Sequence, residues 1–295
     1  MMDSNKKITI GFIGLGVMGG PMCRNLVRKM PDARIVVFDK SVEAIQSVAD
    51  RGAEVACSAE DAARQSDVVL LSLPNGDAVR QVVDAIIGSI RADALVIDTS
   101  TSPVDVTKEM AQRIKAAGGE YLDAPIARTR AAAENGTLSI MVGGGTSAFQ
   151  RVFPILQCMG SEISHCGPVG SGQIVKILNN MVLFQTVHAL SEALAIGTLA
   201  GVDGKTLFDV FSKGSADSFA LRNHGCKALL ADDFPPRAFS TDYARKDNAY
   251  AIALAESVGV TPKGARLLDE VFDLAQQQTL GEFYFPVFHK LHSTD

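Results

Sequence analysis

The chain has 295 residues, 47% hydrophobic and 21% charged, enough apolar material for one large core or two ordinary ones. A net charge of −5, no long Lys/Arg run, no Trp and only 6% aromatic residues argue against nucleic acid or an acidic membrane surface as a partner. Five scattered cysteines (Cys23, Cys57, Cys158, Cys166, Cys226) show no CxxC and no zinc spacing with a histidine. They predict reduced thiols in a cytoplasmic protein without a bound metal.

The opening Met-Met-Asp-Ser-Asn-Lys-Lys lacks the apolar core of a signal peptide. Lys7–Ile13 then reads as a short buried strand, followed at once by Gly14-Leu-Gly-Val-Met-Gly19 and a helix from about Met18 to Arg28. This is GxGxxG in the context it needs, a strand before it and a helix after it. Gly14 allows the tight turn, Gly16 lets a pyrophosphate approach the backbone, and Gly19 lets helix and strand pack closely. The amides around Val17 and Met18 and the positive end of the helix then face the anion. A second strand, Arg34–Phe38, ends at Asp39, where an acid can bind both hydroxyls of an adenosine ribose and would repel a 2′-phosphate. Asp39 therefore points to NAD over NADP; its structural alternative is to cap the helix starting near Ser41.

The alternation continues. Helices are predicted over Val42–Arg51, Asp61–Gln65 and Ala78–Ile87, and strands over Asp67–Leu73 and Leu95–Ile97. Pro103 suits the first turn of the next helix. This order implies an α/β fold, a doubly wound Rossmann-type sheet. Ligands sit at the carboxyl ends of such strands, which places Leu73, Pro74, Asn75 and Thr99–Thr101 to line the cofactor. Turn chemistry accounts for the hydroxyls at 99–101 equally well. Another strand is predicted at Glu120–Asp123, then a loop through Arg128, Thr129 and Arg130. Strand Gly136–Val142, helix Ser147–Met159 and strand Glu162–Cys166 complete this half. Either arginine could fork onto an anion, or be a solvated surface charge.

From about residue 169 the pattern changes to helices only: Ile174–Ala200, Lys205–Ser212, Ala220–Leu230, Tyr243–Ser257 and Gly264–Gln278. The predicted division is 1–168, a dinucleotide-binding domain, and 169–295, an all-helical domain, joined by a long helix. That helix contains Lys176, Asn179, Asn180, Gln185, His188 and Glu192, which suits a buried helix better than a membrane span. Lys176, Asn180, Leu183 and Val187 share one helical face, with Asn179 at its edge. Lys176 is then either a lysine snorkelling to water or a partly desolvated catalytic amine. Lys246, beside Asp247, either reaches cofactor or substrate or forms a surface pair.

Taken together, Gly11–Met22, Asp123-Ala-Pro, Gly136–Gly144, Gly170–Asn180 and Lys246-Asp247 resemble the β-hydroxyacid dehydrogenase family over nearly the whole length. The resemblance implies a catalytic lysine at Lys176, a substrate-orienting asparagine at Asn180, and a lysine near nicotinamide and substrate at Lys246. It also implies a homodimer or homotetramer formed through the helical half. Where most members carry Ser-Gly-Gly after Asp-Ala-Pro-Val, this chain has Ala127-Arg128-Thr129. That loop is similar to the sulfolactaldehyde-reducing branch of the family, in which Arg128 would hold a sulfonate with help from Thr129 and Asn179. Ala127 and Leu183 depart from that branch, so succinic, methylmalonic or tartronate semialdehyde also stays open. The implied reaction is hydride exchange between NAD(H) and a short anionic hydroxy acid, with Lys176 moving the proton at a pKa lowered by burial. A non-catalytic dinucleotide-binding module is the alternative of another class.

Overall fold

The structure, a computed structural model, describes residues 7–236 and 238–292, so the opening residues 1–6 lie outside it. It divides into two compact units, Met1–Lys176 and Ile177–Asp295. The division falls inside a helix, not at the change of pattern near residue 168.

In the first unit the strands are β1 (Thr9–Ile13), β2 (Arg34–Phe38), β3 (Glu54–Val55), β4 (Val68–Leu71), β5 (Leu95–Asp98), β6 (Glu120–Asp123), β7 (Ile126–Ala127), β8 (Leu138–Gly143) and β9 (Gly160–Gly167). The helices are α1 (Gly19–Lys29), α2 (Val42–Ala49), α3 (Ala59–Gln65), α4 (Gly76–Ile86), α5 (Val104–Ala116), α6 (Arg130–Asn135) and α7 (Thr146–Leu156). Strand order is β3-β2-β1-β4-β5-β6-β8-β7, with β9 on β8. The run from β3 to β6 is parallel. It is the doubly wound order, and its direction reverses between β1 and β4, where such sheets bind ligands. Strand β4 shows why the sheet is buried on both faces. Val68 and Leu70 enter the core with Phe12 and Leu26, while Val69 and Leu71 enter the other with Val83 and Met110.

Side chains that begin helices do so by local chemistry. The Ser41, Ser58 and Asn75 oxygens accept from the N–H groups of Ala44, Asp61 and Ala78. The sequence predicts a loop over 123–130 and assigns nothing to 131–135. The structure adds β7 and α6 there, and α6 ends at Gly136 in the left-handed region, φ 67°.

The long helix α8 (Ser171–Leu199) carries the chain from the first unit into the second, which also contains α9 (Gly204–Phe211), α10 (Thr241–Ser257) and α11 (Lys263–Gln277). Residues 221–229, expected as an ordinary helix, form a π-helix, and Phe285–His292 is an unpredicted 3₁₀ helix. The core of this unit is aromatic: Phe184, Phe208, Phe272, Phe285 and Phe288 are fully buried, with Phe184 edge-on to Phe285 at 5.1 Å. Helix α8 is long and apolar enough to cross a membrane by length and composition. Its Phe184, Val187, Leu190 and Leu194 instead fill the aromatic core.

Candidate active site

The glycine loop has three different geometries that match three different tasks. Gly14 has φ 96°, and a Cβ there would lie 2.2 Å from the Ser72 carbonyl oxygen. At Gly19 a Cβ would lie 2.0 Å from the Gly14 oxygen, so α1 packs backbone to backbone. At Gly16 a Cβ would meet nothing within 4 Å. Two glycines are thus demanded by the fold, while Gly16 borders open space that a pyrophosphate would occupy. These residues fit a dinucleotide.

Asp39 closes the loop from the next strand. Its Oδ2 accepts from Leu15 N at 2.5 Å and its Oδ1 from Ser41 N at 2.7 Å. The cap of α2 is Ser41 itself, so Asp39 shapes the glycine loop more than it caps a helix. Of the other predicted cofactor-lining residues, Leu73 donates its N–H to Ser100 Oγ at 2.9 Å, Pro74 follows it, and Asn75 caps α4. Thr99 Oγ1 donates to Leu71 O, while Thr101 is buried beside it. Turn chemistry therefore accounts for much of this strand-end cluster. Beneath it Asp98 is wholly buried, accepting from Ser100 N and Tyr121 Oη at 2.9 Å each. Burial pushes its carboxyl up to about 6 against those bonds.

Helix α8 starts on this sheet edge. Asp123, at the end of β6, accepts from Gly170 N at 2.7 Å and Gln173 N at 2.9 Å. Its charge sits where the helix dipole favours an anion, although burial still pushes its pKa up. The Gln173 amide donates to Ser100 O at 2.8 Å and accepts from Ser102 N at 3.1 Å. A Cβ on Gly172 would lie 2.3 Å from Met141 O, so helix and sheet touch directly. These contacts keep residues 171–176 with the first unit. Asp123 and Gln173 anchor the start of α8 to the sheet, a role that sequence reading overlooked. Their partners lie 47 to 73 positions away, and no local pattern announces them.

One turn further on, Lys176 is 8% exposed, and Asn180, the next residue on that face, is 2% exposed. Asn180 Nδ2 donates to Asp247 Oδ2 at 2.8 Å, and Asn179 Nδ2 donates to Asn180 Oδ1 at 3.2 Å. Asp247, in α10, is 1% exposed, and Lys246 Nζ lies 2.9 Å from its Oδ1. The same ammonium lies over the rings of Tyr243 and Tyr250, at 4.2 and 4.8 Å. Asp247 is buried and Lys246 half-buried, so this is not a surface pair. Burial first, and then the Asp247 charge, pushes the Tyr243 hydroxyl far up.

Arg128 follows β7 with φ 86°, a left-handed backbone that favours glycine. Its Nη1 donates to Thr137 O at 2.7 Å and Ser161 Oγ at 3.2 Å, and Glu162 lies 4.0 Å from Nη2. Thr129 is exposed and precedes α6 without capping it. Arg130 is engaged with Glu134 at 3.0 Å as an exposed pair along α6.

Residues 9–167 match the family model of the NAD binding domain of 6-phosphogluconate dehydrogenase. Residues 170–283 match that of the NAD-binding domain of NADP-dependent 3-hydroxyisobutyrate dehydrogenase. The chain is 31% identical to 2-(hydroxymethyl)glutarate dehydrogenase of Eubacterium barkeri, across 94% of this chain and 92% of that one. It is 35% identical to a probable 3-hydroxyisobutyrate dehydrogenase of Mycobacterium tuberculosis, across 88% and 90%. The solved structure of Mycobacterium tuberculosis 3-hydroxyisobutyrate dehydrogenase with L-serine superposes with a TM-score of 0.89 at 31% identity, covering 98% of this chain and 100% of that one. Sequence models across both halves, relatives above 30% identity and a shared fold converge: this chain belongs to the β-hydroxyacid dehydrogenase family, as an oxidoreductase that uses a nicotinamide dinucleotide.

Proposed function

We propose that the protein interconverts a short anionic semialdehyde and its hydroxy acid with NAD(H), and that Lys176 moves the proton. The observation that carries this reading is a lysine 8% exposed, one helical turn from an asparagine 2% exposed, on a helix whose first turn is bonded to the dinucleotide-type sheet edge. The nicotinamide ring, when bound, supplies the hydride donor or acceptor. In reduction the Lys176 ammonium gives a proton from Nζ to the carbonyl oxygen. In oxidation the neutral amine takes it back from the hydroxyl. Asn180 orients that exchange, and Lys246 is read as a further cofactor- and substrate-binding residue. Gly14, Gly16, Val17, Met18 and Gly19 hold the pyrophosphate. The Asp39 charge opposes a 2′-phosphate, which supports NAD over NADP.

Arg128 is read as the anchor of the substrate anion, with Thr129 and Asn179 as further donors. Its Nη1 is spent on Thr137 O and Ser161 Oγ, so an anion would be gripped by the Nε–Nη2 edge in competition with Glu162, whose carboxylate lies 4.0 Å from Nη2. The names of the relatives support a carboxylate. A sulfonate, as in 3-sulfolactaldehyde and 2,3-dihydroxypropane-1-sulfonate, is a second reading, favoured by a guanidinium at a glycine-type backbone position.

Self-association is supported by α8. Leu178, Val182, Ala189, Ile196 and Leu199 are exposed at helical spacing and form a mainly apolar stripe that Gln185 and Glu192 interrupt. A second copy of the chain is the occupant this reading assigns to it, giving a homodimer or larger homo-oligomer. Five free cysteines support a cytoplasmic location.

The test is NADH oxidation with sulfolactaldehyde and with succinic, methylmalonic and tartronate semialdehydes, repeated with Lys176→Ala. The lysine variant should lose turnover and keep NADH binding; turnover near the native level would remove Lys176 from the reaction.

A further inference from the structure

Asp247 takes no part in the chemistry proposed above, yet it is a carboxylate 1% exposed in a unit whose core is built mainly from aromatic and aliphatic side chains. Burying a charge is costly unless it is paired and hydrogen-bonded, so its partners show what it is for. There are two. Lys246 Nζ stands 2.9 Å from Oδ1, which balances the charge. Asn180 Nδ2 donates to Oδ2 at 2.8 Å. The Lys246 contact is an ion pair without hydrogen-bond alignment, whereas the Asn180 contact is a directed hydrogen bond.

A side-chain amide can present either its NH₂ or its carbonyl oxygen to a neighbour, and the two ends have nearly the same shape. An ionised carboxylate only accepts. With Asp247 on one side, the Asn180 NH₂ is obliged to face α10, and its carbonyl oxygen is turned away. The Asn179 Nδ2 contact to Asn180 Oδ1, at 3.2 Å, agrees with that orientation. We infer that Asp247 is a positioning residue that locks the amide of Asn180, so that Asn180 offers an acceptor and not a donor on the side turned away from α10. An acceptor there can hold an N–H or O–H of a proton-carrying group. A flipped amide would present only donors on that side. This inference rests on the proton-transfer reading of Lys176.

The experiment is a double-mutant cycle on the whole enzyme between Asp247→Asn and Asn180→Ala. Asn at 247 can accept or donate, so the lock is lost while size is kept. Alone, Asp247→Asn should lower kcat about 10- to 100-fold, the range of one hydrogen bond to a charged group, with KM and NADH affinity changed little. In the Asn180→Ala background the same change should cost less than about twofold, because the residue through which Asp247 acts is gone. An equal loss in both backgrounds would overturn the inference and assign the effect to Lys246 or to packing. Asn180→Asp gives an independent readout should Asp247→Asn fail to fold. Two facing carboxylates would share a proton and add an ionisation to the pH profile of kcat. An unaltered profile would overturn the inference. If Lys176→Ala keeps its turnover, the parent reading fails instead.

Discussion

Gly16, in the loop, and Gly19, at the start of α1, lie three residues apart, and replacing each with Ala should act with opposite sign. At Gly16 the added Cβ meets nothing within 4 Å, and the backbone is not in the left-handed region. Ala there restricts the unfolded chain, a gain of about 0.4–1 kcal/mol. For a protein of this size that raises the melting temperature by roughly 1–4 °C. The same methyl stands where the pyrophosphate approaches the backbone. Losing one charged hydrogen bond, about 1.5–3 kcal/mol, should weaken NADH binding roughly 10- to 100-fold. At Gly19 the Cβ would lie 2.0 Å from the Gly14 oxygen, against an ordinary contact of 3.4 Å or more. Backbone faces backbone, so neither side can rotate away. The cost should reach about 3 kcal/mol, a fall of roughly 6–12 °C. The assays are thermal unfolding without dinucleotide and calorimetric titration with NADH. A Gly16→Ala protein that binds NADH as tightly as the native chain would refute the assignment of this loop to the pyrophosphate. One that melts well below it would refute the steric reasoning.

Three further outcomes are expected. Asp39→Ala should narrow the preference for NADH over NADPH at least about tenfold by removing the opposed charge; a native chain that already favours NADPH would contradict the reading. Arg128→Ala should raise KM for the anionic substrate by about tenfold or more with a smaller change in kcat, and an unchanged KM would take Arg128 out of the anion site. His224, buried and sharing a hydrogen bond with Tyr284 Oη, has its pKa lowered by desolvation to about 4. The folded state therefore holds it neutral while the unfolded chain takes up a proton. This stability is present above pH 6.5 and is lost as pH falls toward 4, about 2 kcal/mol by pH 5. His188 and His289 shift in the same direction. His224→Gln should flatten the decline in melting temperature between pH 7 and 5; an identical slope would refute the assignment.

What could be read in the chain by itself is what repeats or lies close in sequence. Gly14, Gly16, Gly19 and Asp39 are legible because a strand, a turn and a helix follow one another within thirty or so residues and the dinucleotide fit depends on that order. The period of the long helix brings Lys176 and Asn180 to one buried face, because helical neighbours are set by spacing alone. The α/β half and the helical half separate for the same reason. Only the tertiary structure decided the rest. The two residues of β7 and the six of α6 are too short to show a period. A left-handed φ at Arg128 leaves no mark on residue type, since an arginine stands where glycine is preferred. The start of α8 is tied down by Asp123, 47 residues before Gly170, and this is why the units divide within the helix and not before it. Asp247 reaches Asn180 across 67 residues. Such contacts form when distant segments are brought together by burial of a common core, and burial has no short-range signature.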